Sequence, residues 1–322
     1  IFFERSRQEG SKRKKELSEI LAPAQKRFDE AEALINLNKG LAFEEFDALK
    51  TSLEESRSKF PQNTSERKKL DEFIGKVESR IGELGTGAAI ANQKVVYEDV
   101  SFVSFRDGKL VAADSDGKIF LLSSEGKVEK EIDSENANVK SIVADERYVY
   151  VLGDGGITRT TKSSGATSTI VEDPDTTISI DNFGSNVYGL NTKDKKIDKY
   201  TGGNRSDYFV EDITLKRPLS MSIDASVWLI DGSKIRKFTR GREDSFTIRG
   251  LTGELGGDSK IFTALDYSNI YILDPKNARI ISIKKDGESD KQYSWKNLSS
   301  AASFSVDEDG ETIYVVIGTK LY

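Results

Sequence analysis

Apolar residues at Leu17, Leu21, Ala24, Phe28, Ala31 and Ile35 step alternately by four and three, a spacing that aligns them as one stripe on a helix and turns that stripe toward a partner. A second stripe runs through Phe46, Leu49, Leu53 and Phe60, with Ser56 in the intervening seam position, and a third through Leu70, Phe73, Val77, Ile81 and Leu84. The pattern predicts three helices. Asn36 to Gly40 supplies a turn after the first, Pro61 stops the second, Asn63 with Glu66 imitates a capping box for the third, and Gly85 and Gly87 end it. Pro23 removes one backbone hydrogen bond inside the first stripe and predicts a bend near Ala22. Helices with narrow apolar seams and charged flanks are marginal alone, so antiparallel packing of all three is expected. The same spacing serves an inert stalk or oligomerisation through the stalk.

Near residue 90 the pattern changes to short β-branched runs punctuated by Gly and Asp. A motif then recurs: a strand with small polar residues, an Asp-led turn, a strand with an aromatic second residue, a tight turn, and a strand opening with Ile or Leu. The second strand appears as LVAAD from Leu110, VYVLG from Val149, VYGLN from Val187, VWLID from Val227, IYILD from Ile270 and IYVVI from Ile313, at intervals of 39, 38, 40, 43 and 43 residues. Ile119, Ile157, Ile197, Ile235, Ile280 and Leu321 open the third strand. A period near 40 built from short strands predicts a β-propeller, in which each four-stranded blade buries its faces only by stacking on its neighbours. The fold class expected is therefore an all-β six-bladed propeller over residues 93–322 behind a three-helix, coiled-coil-like domain over residues 1–92. The last copy lacks an outer strand, and residues 94–99, KVVYED, are the candidate that closes the ring. Seven blades is the alternative if further sequence adds a repeat.

The copies resemble the NHL-type six-bladed propeller family. The resemblance rests on IYILDPKNARIISIKKDG at 270–287, SFSVDEDGETIYVV at 303–316 and KLVAADSDGKIFLL at 109–122. Only the fifth blade keeps Asn277 and Arg279 together, and no copy has the family's usual His. The layout as a whole, with the segment LAPAQKRFDEAEALINLN, is similar to the stalk-plus-propeller part of bacterial membrane proteins that carry a PPM-type phosphatase-like domain. That resemblance implies a sensor or interaction part, with any catalytic domain upstream.

Charge refines the picture. Lys plus Arg number 48 against 54 Asp plus Glu, for a net charge of −6 over 322 residues, a balance that disfavours a nucleic-acid partner. Residues 1–92 hold 17 basic and 17 acidic side chains, so residues 93–322 carry 31 against 37 and all of the net charge. The first 15 residues carry +4, with Arg5, Arg7, Lys12, Arg13, Lys14 and Lys15 against Glu4 and Glu9. Such a stretch reads either as the flank of an upstream membrane helix or as a solvated helix start. On the first reading the region is tethered to a membrane; a basic flank favours the cytoplasmic side, and the phosphatase-linked resemblance the outer side.

The chain contains neither Cys nor His, which removes thiol nucleophiles, disulfides, His bases, His/Cys zinc sites and Ser-His-Asp triads. Aspartates recur at the first turn as Asp107, Asp145, Asp181, Asp224, Asp266 and Asp307. They read as turn caps repeated six times rather than as a cation ring. Asp114, Asp116 and Gly117 begin like a calcium loop but lack its spacer and closing Glu, so a hairpin turn accounts for them. Tyr150, Tyr188, Trp228, Tyr271 and Tyr314 share one repeat position and are expected to pack between blades. Ser104, Ser141, Ser179, Ser222 and Ser305 are expected to face a narrow wet channel. Ligand contacts are placed on the loops of one face, at Asp114, Asn191, Lys216, Arg217, Asp231 and Asp274, near the Gly250–Ser259 segment. No catalytic residue, metal site or cofactor is expected. The function expected is a binding module for a protein, glycan or envelope ligand, not an enzyme; the alternatives are an oligomeric scaffold or a metal-dependent propeller hydrolase or lactonase.

Overall fold

Three helices form on the three stripes: α1 (Phe2–Leu34), α2 (Lys39–Ser56) and α3 (Ser65–Gly85). The computed structural model describes residues 2–85, 88–90, 93–174, 176–251 and 253–322, so the stop assigned to Gly87 lies outside the described residues. Leu17, Ala24, Phe28 and Ala31 of α1 pack with Phe46, Leu49 and Leu53 of α2 and Leu70, Ile74 and Val77 of α3 in one buried core. Phe28 and Phe46 meet edge to face at 5.1 Å. In α3 it is Ile74, rather than Phe73, that is fully buried; Phe73 and Ile81 cover the margin of the core. α1 runs through Pro23 as one helix, so the proline does not end it. Pro23 sits on the exposed face, where water can take the carbonyl that loses its partner.

Two helix starts are capped by side chains. Asn38 Oδ1 accepts the N–H groups of Gly40 and Leu41, each at 3.1 Å, opening α2. At α3 the cap is Thr64, whose Oγ1 accepts the Arg67 N–H at 3.2 Å, so the box assigned to Asn63 and Glu66 is displaced by one residue. The first compact unit comprises Ile1–Gly87 with Ile248–Glu254, and within it Gly250 donates its N–H to Glu44 Oε1 at 3.1 Å. Among the described residues no helix is long and apolar enough to cross a membrane.

The second unit, Ala88–Thr247 with Leu255–Tyr322, is a six-bladed β-propeller. Each blade is an antiparallel meander. From inner to outer edge, blade one runs Phe102–Arg106, Lys109–Ala113, Lys118–Leu122 and Val128–Asp133. Blades two to five begin with inner strands Ser141–Ala144, Thr177–Phe183, Pro218–Ile223 and Lys260–Phe262. Blade six runs Ala301–Val306, Ile313–Ile317 and Lys320–Leu321, and its fourth strand is Tyr97–Glu98, from the start of the unit. Tyr97 pairs with Leu321 and Glu98 with Lys320. A second segment from the same stretch, Ala88–Ala89, adds a parallel fifth strand to blade five beside Tyr293 and Ser294.

The blades stack through the faces that the repeat pattern marks. Tyr150, Tyr188, Trp228, Tyr271 and Tyr314 are all buried, and Tyr314 of blade six stacks on Phe105 of blade one at 5.4 Å. Third-strand Ile119, Ile157, Ile197, Ile280 and Leu321 are wholly buried.

Candidate functional site

The inner strands converge on the propeller axis, where neighbours are too far apart for a continuous β-ladder. Short side chains bridge the gap. Ser303 and Ser305 of blade six accept the N–H groups of Val103 and Phe105 in blade one, at 3.1 and 2.8 Å. Ser104 accepts from Ala144 at 3.1 Å, Ser141 from Ile180 at 3.2 Å, Ser220 from Ile261 at 3.1 Å and Ser222 from Thr263 at 3.0 Å. Serines thus join blade six to one, one to two, two to three and four to five, satisfying donors that no strand can reach.

The joint between blades three and four is made differently. Ser104, Ser222 and Ser305 pair in register with Val111, Trp228 and Tyr314, and the residue of blade three opposite the corresponding Tyr188 is Asp181. Asp181 was expected in a turn; the inner strand of blade three continues to Phe183, and the turn falls at Gly184. Its carboxylate takes the bridging role, accepting the Ile223 N–H at 2.9 Å and the Ser222 hydroxyl at 3.1 Å. A buried carboxylate needs a counter-charge, and Arg106 of blade one supplies it, with Nη2 2.8 Å from Oδ1 and 3.1 Å from Oδ2. Burial pushes the Asp181 carboxyl above its ordinary range, opposed by Arg106, the N–H groups of Asn182 and Ile223, and Ser222. Arg106 also donates to the Thr263 and Asn182 carbonyls, so one guanidinium links blades one, three and five.

Above this pair lies an axial cavity of about 190 Å³, walled by the inner-strand serines and by Phe102, Ile178, Leu219 and Ile261, with Lys140 and Lys260 among its lining residues. One water needs only roughly 10–15 Å³ of such space, so a small ligand group fits. Lys260 has no acceptor among the described residues; Lys140 lies 4.0 Å from Asp154. Crowding by surrounding protein holds the Lys260 ammonium below the usual lysine value, and Asp258 opposes the shift. Two further donors are buried without partners, Ser179 Oγ and Arg106 Nε. At the opposite end, Asp107, Asp145, Asp266 and Glu308 line a pocket of about 180 Å³ that shares Arg106 with the first. Among the described residues no three acidic side chains converge in a group able to hold a metal ion.

Most of the loop residues read from sequence have side-chain polar atoms engaged within the fold; Lys216 is held through its backbone N–H. Asn191, Asp231 and Asp274 each end a second strand and hold the incoming interblade segment. Asn191 Oδ1 accepts from Thr176 Oγ1 at 2.9 Å. Asp231 accepts the N–H groups of Lys216 and Arg217 at 3.0 and 2.6 Å, and Asp274 accepts that of Gly256 at 3.1 Å. Arg236 and Arg279 complete the last two clusters at 3.0 and 2.8 Å. The Arg217 guanidinium donates to the Gly257 carbonyl at 2.8 Å. Asp114 caps its own turn, accepting from Asp116 and Lys118 at 3.0 and 2.8 Å. Gly117 completes that turn at φ +93°, where a Cβ would strike the Asn136 carbonyl. Of the remaining turn aspartates, Asp145, Asp224 and Asp307 accept backbone N–H groups of their own turns.

Sequence reasoning missed Arg106, Lys140, Lys260 and Asp181 as members of the axial site. A usable signal was present for two of them. Aligning the copies on the second strand, rather than on the aspartate, places Asp181 at the position that holds serine in blades one, four and six, and Arg106 is the one arginine in an inner strand.

No protein-family model matches this chain, and no curated protein matches it. Solved structures do. Regucalcin from Agrobacterium tumefaciens, described as a calcium-binding protein, is 12% identical, covers 71% of this chain and 86% of its own, and superposes with a TM-score of 0.51. A virginiamycin B lyase from Staphylococcus aureus is 18% identical, with 72% and 81% covered and a TM-score of 0.49. A nidogen/laminin complex is 14% identical, with 62% and 82% covered and a TM-score of 0.49. At these identities the likeness bears on the fold. One expectation, that this chain is not an enzyme, is overturned: the propeller fold it shares with regucalcin gives no ground for excluding catalysis, because a fold does not fix function.

Proposed function

We propose that this chain is the recognition part of a membrane-tethered protein, in which the propeller captures an envelope glycan by admitting one of its polar groups into the axial cavity. The observation that carries this reading is the cavity itself. It is small, fixed by serine-to-backbone bonds on its walls, and its lining offers the buried, unpartnered Ser179 Oγ and the Lys260 ammonium, which has no acceptor among the described residues. Rigid walls lower the entropic cost of ordering a bound ligand. The loops around Asn191, Asp231 and Asp274 are held firmly enough to add contacts around the same end. The tether rests on the basic stretch from Arg5 to Lys15, which suits the surface of an anionic leaflet.

The test is retention of the labelled full chain on an array of bacterial envelope glycans, compared with Ser179→Leu. That substitution fills the cavity and breaks no hydrogen bond, since Ser179 Oγ makes none. Saturable retention that Ser179→Leu abolishes is expected. Retention unchanged by that substitution, or none on any glycan, overturns the reading.

A further inference from the structure

The serines that join the blades differ from ordinary channel-lining hydroxyls in one respect. Ser141, Ser220 and Ser303 each use an oxygen lone pair to accept a neighbouring backbone N–H. None of the three has an acceptor among the described residues for its own hydroxyl proton, and Ser179 has no partner at all. A hydroxyl that already accepts has its proton left to give. The joints that hold the blades together therefore bias one ring of the cavity wall toward donation. Lys260 adds a further donor with a positive charge. A site whose free groups are mostly donors matches a ligand that only accepts, and an ionised oxyanion is the strongest such ligand.

Charge narrows the class. Arg106 is balanced by Asp181, and Lys140 has Asp154 as a counter-charge at 4.0 Å. Lys260 feels Asp258 nearby but forms no ion pair with it, and is the cation of the lining with no carboxylate in contact among the described residues. One exposed ammonium with no ion pair, among the lining residues of the cavity, matches a single negative charge. We infer that the axial cavity is a receptor for a monoanionic carboxylate, of the kind a uronic acid carries, held by Lys260 and the hydroxyls of the serine ring. This rests on the capture reading above and names the group that enters. Asp181, the carboxylate in the same wall, does not repel the ligand at full strength, because Arg106, two backbone N–H groups and Ser222 already bind it.

The experiment is titration of the full chain with sodium D-glucuronate, methyl β-D-glucopyranoside and inorganic phosphate, followed by ligand-observed NMR. Glucuronate is expected to bind at one site and to outcompete the uncharged glucoside and phosphate. Lys260→Gln should raise its Kd about tenfold or more, as loss of a charge-assisted bond implies, and Lys260→Arg should restore most of it. Ser179→Ala should raise Kd by a few fold. Glucoside or phosphate binding as well as glucuronate, a Kd indifferent to Lys260→Gln, or no binding of any probe overturns the inference. The two readings fail separately. Array retention blocked by Ser179→Leu without a preference for glucuronate sinks the carboxylate and keeps the capture reading. Lys260-dependent glucuronate binding beside array retention that Ser179→Leu leaves untouched does the reverse.

Discussion

The helical unit and the propeller both contain arginine–carboxylate pairs, and they use them in opposite ways. In the helices Arg80 reaches Glu32 at 2.6 Å, and Arg57 and Arg67 share Asp71 at 2.9 and 3.0 Å. Most of these side chains keep about a third of their surface in water, and the buried core beneath them is apolar. In the propeller Arg106–Asp181 and Arg279–Asp274 are within a tenth of full burial. The exposed pairs decorate a structure that apolar packing already specifies. The buried pairs are part of what holds the blades in register, and removing one partner strands a charge that water cannot reach.

That contrast can be broken by four measurements, aided by the fact that the chain has only two tryptophans, Trp228 and Trp295, both in the propeller. Indole fluorescence follows the propeller, and ellipticity at the helix minimum follows mainly the helices. Arg106→Ala is expected to have the largest effect, costing the propeller about 3–5 kcal/mol by leaving Asp181 unpaired while the helical transition stays in place. A loss of under about 1 kcal/mol would show that the pair is not integral. Phe46→Ala is the counterpart, since Phe46 is wholly buried between helices. It should cost the helical transition about 3–5 kcal/mol and leave the fluorescence transition unmoved; a coincident shift of both would mean the units unfold together.

The third measurement concerns Asp224, where burial raises the carboxyl but Lys285, the Ser226 and Ala225 N–H groups and the Trp228 indole more than offset it, holding it below the usual range. A depressed native value stabilises the fold above the unfolded pKa, near about 4, and that contribution disappears as pH falls through the native value. Asp224→Asn should therefore lower the fluorescence midpoint at neutral pH, by about 2 kcal/mol for charge-assisted bonds. The gap from wild type should close on acidification below about pH 4; a gap constant with pH contradicts the assignment. The smallest effect is expected from Arg80→Ala, under about 1 kcal/mol on the helical transition for a pair this exposed. A larger loss would erase the distinction between the two kinds of pair.

The parts of the molecule legible in the sequence are those that repeat. The second-strand aromatics, in five blades, and the third-strand aliphatics, in all six, serve the same packing need each time, so periodicity reveals them without knowledge of the ring. The inner-strand serines were legible as channel residues for the same reason, although their bonding to the next blade was not. What escaped are features that occur once. Arg106 and Asp181 lie 75 residues apart and meet only because the ring brings blade one across from blade three. An aspartate in every copy invited the turn reading, and blade three departs from it because its inner strand is longer. Ala88–Ala89 pairs with blade five as a parallel strand, and two alanines give no pattern to read. The cap at Thr64 instead of Asn63 is a matter of one residue, within the usual latitude of helix ends.

The pairing of Tyr97 and Glu98 with Leu321 and Lys320 also sets an order of events. Lys320 Nζ reaches Glu98 Oε1 at 2.7 Å across a separation of 222 residues, about as non-local a contact as this chain can make, and such contacts form late and slowly. A stretch translated before any inner strand of the propeller thus pairs only once the last blade exists, and a nascent chain emerging from the ribosome must keep that stretch unpaired while the intervening blades assemble behind it.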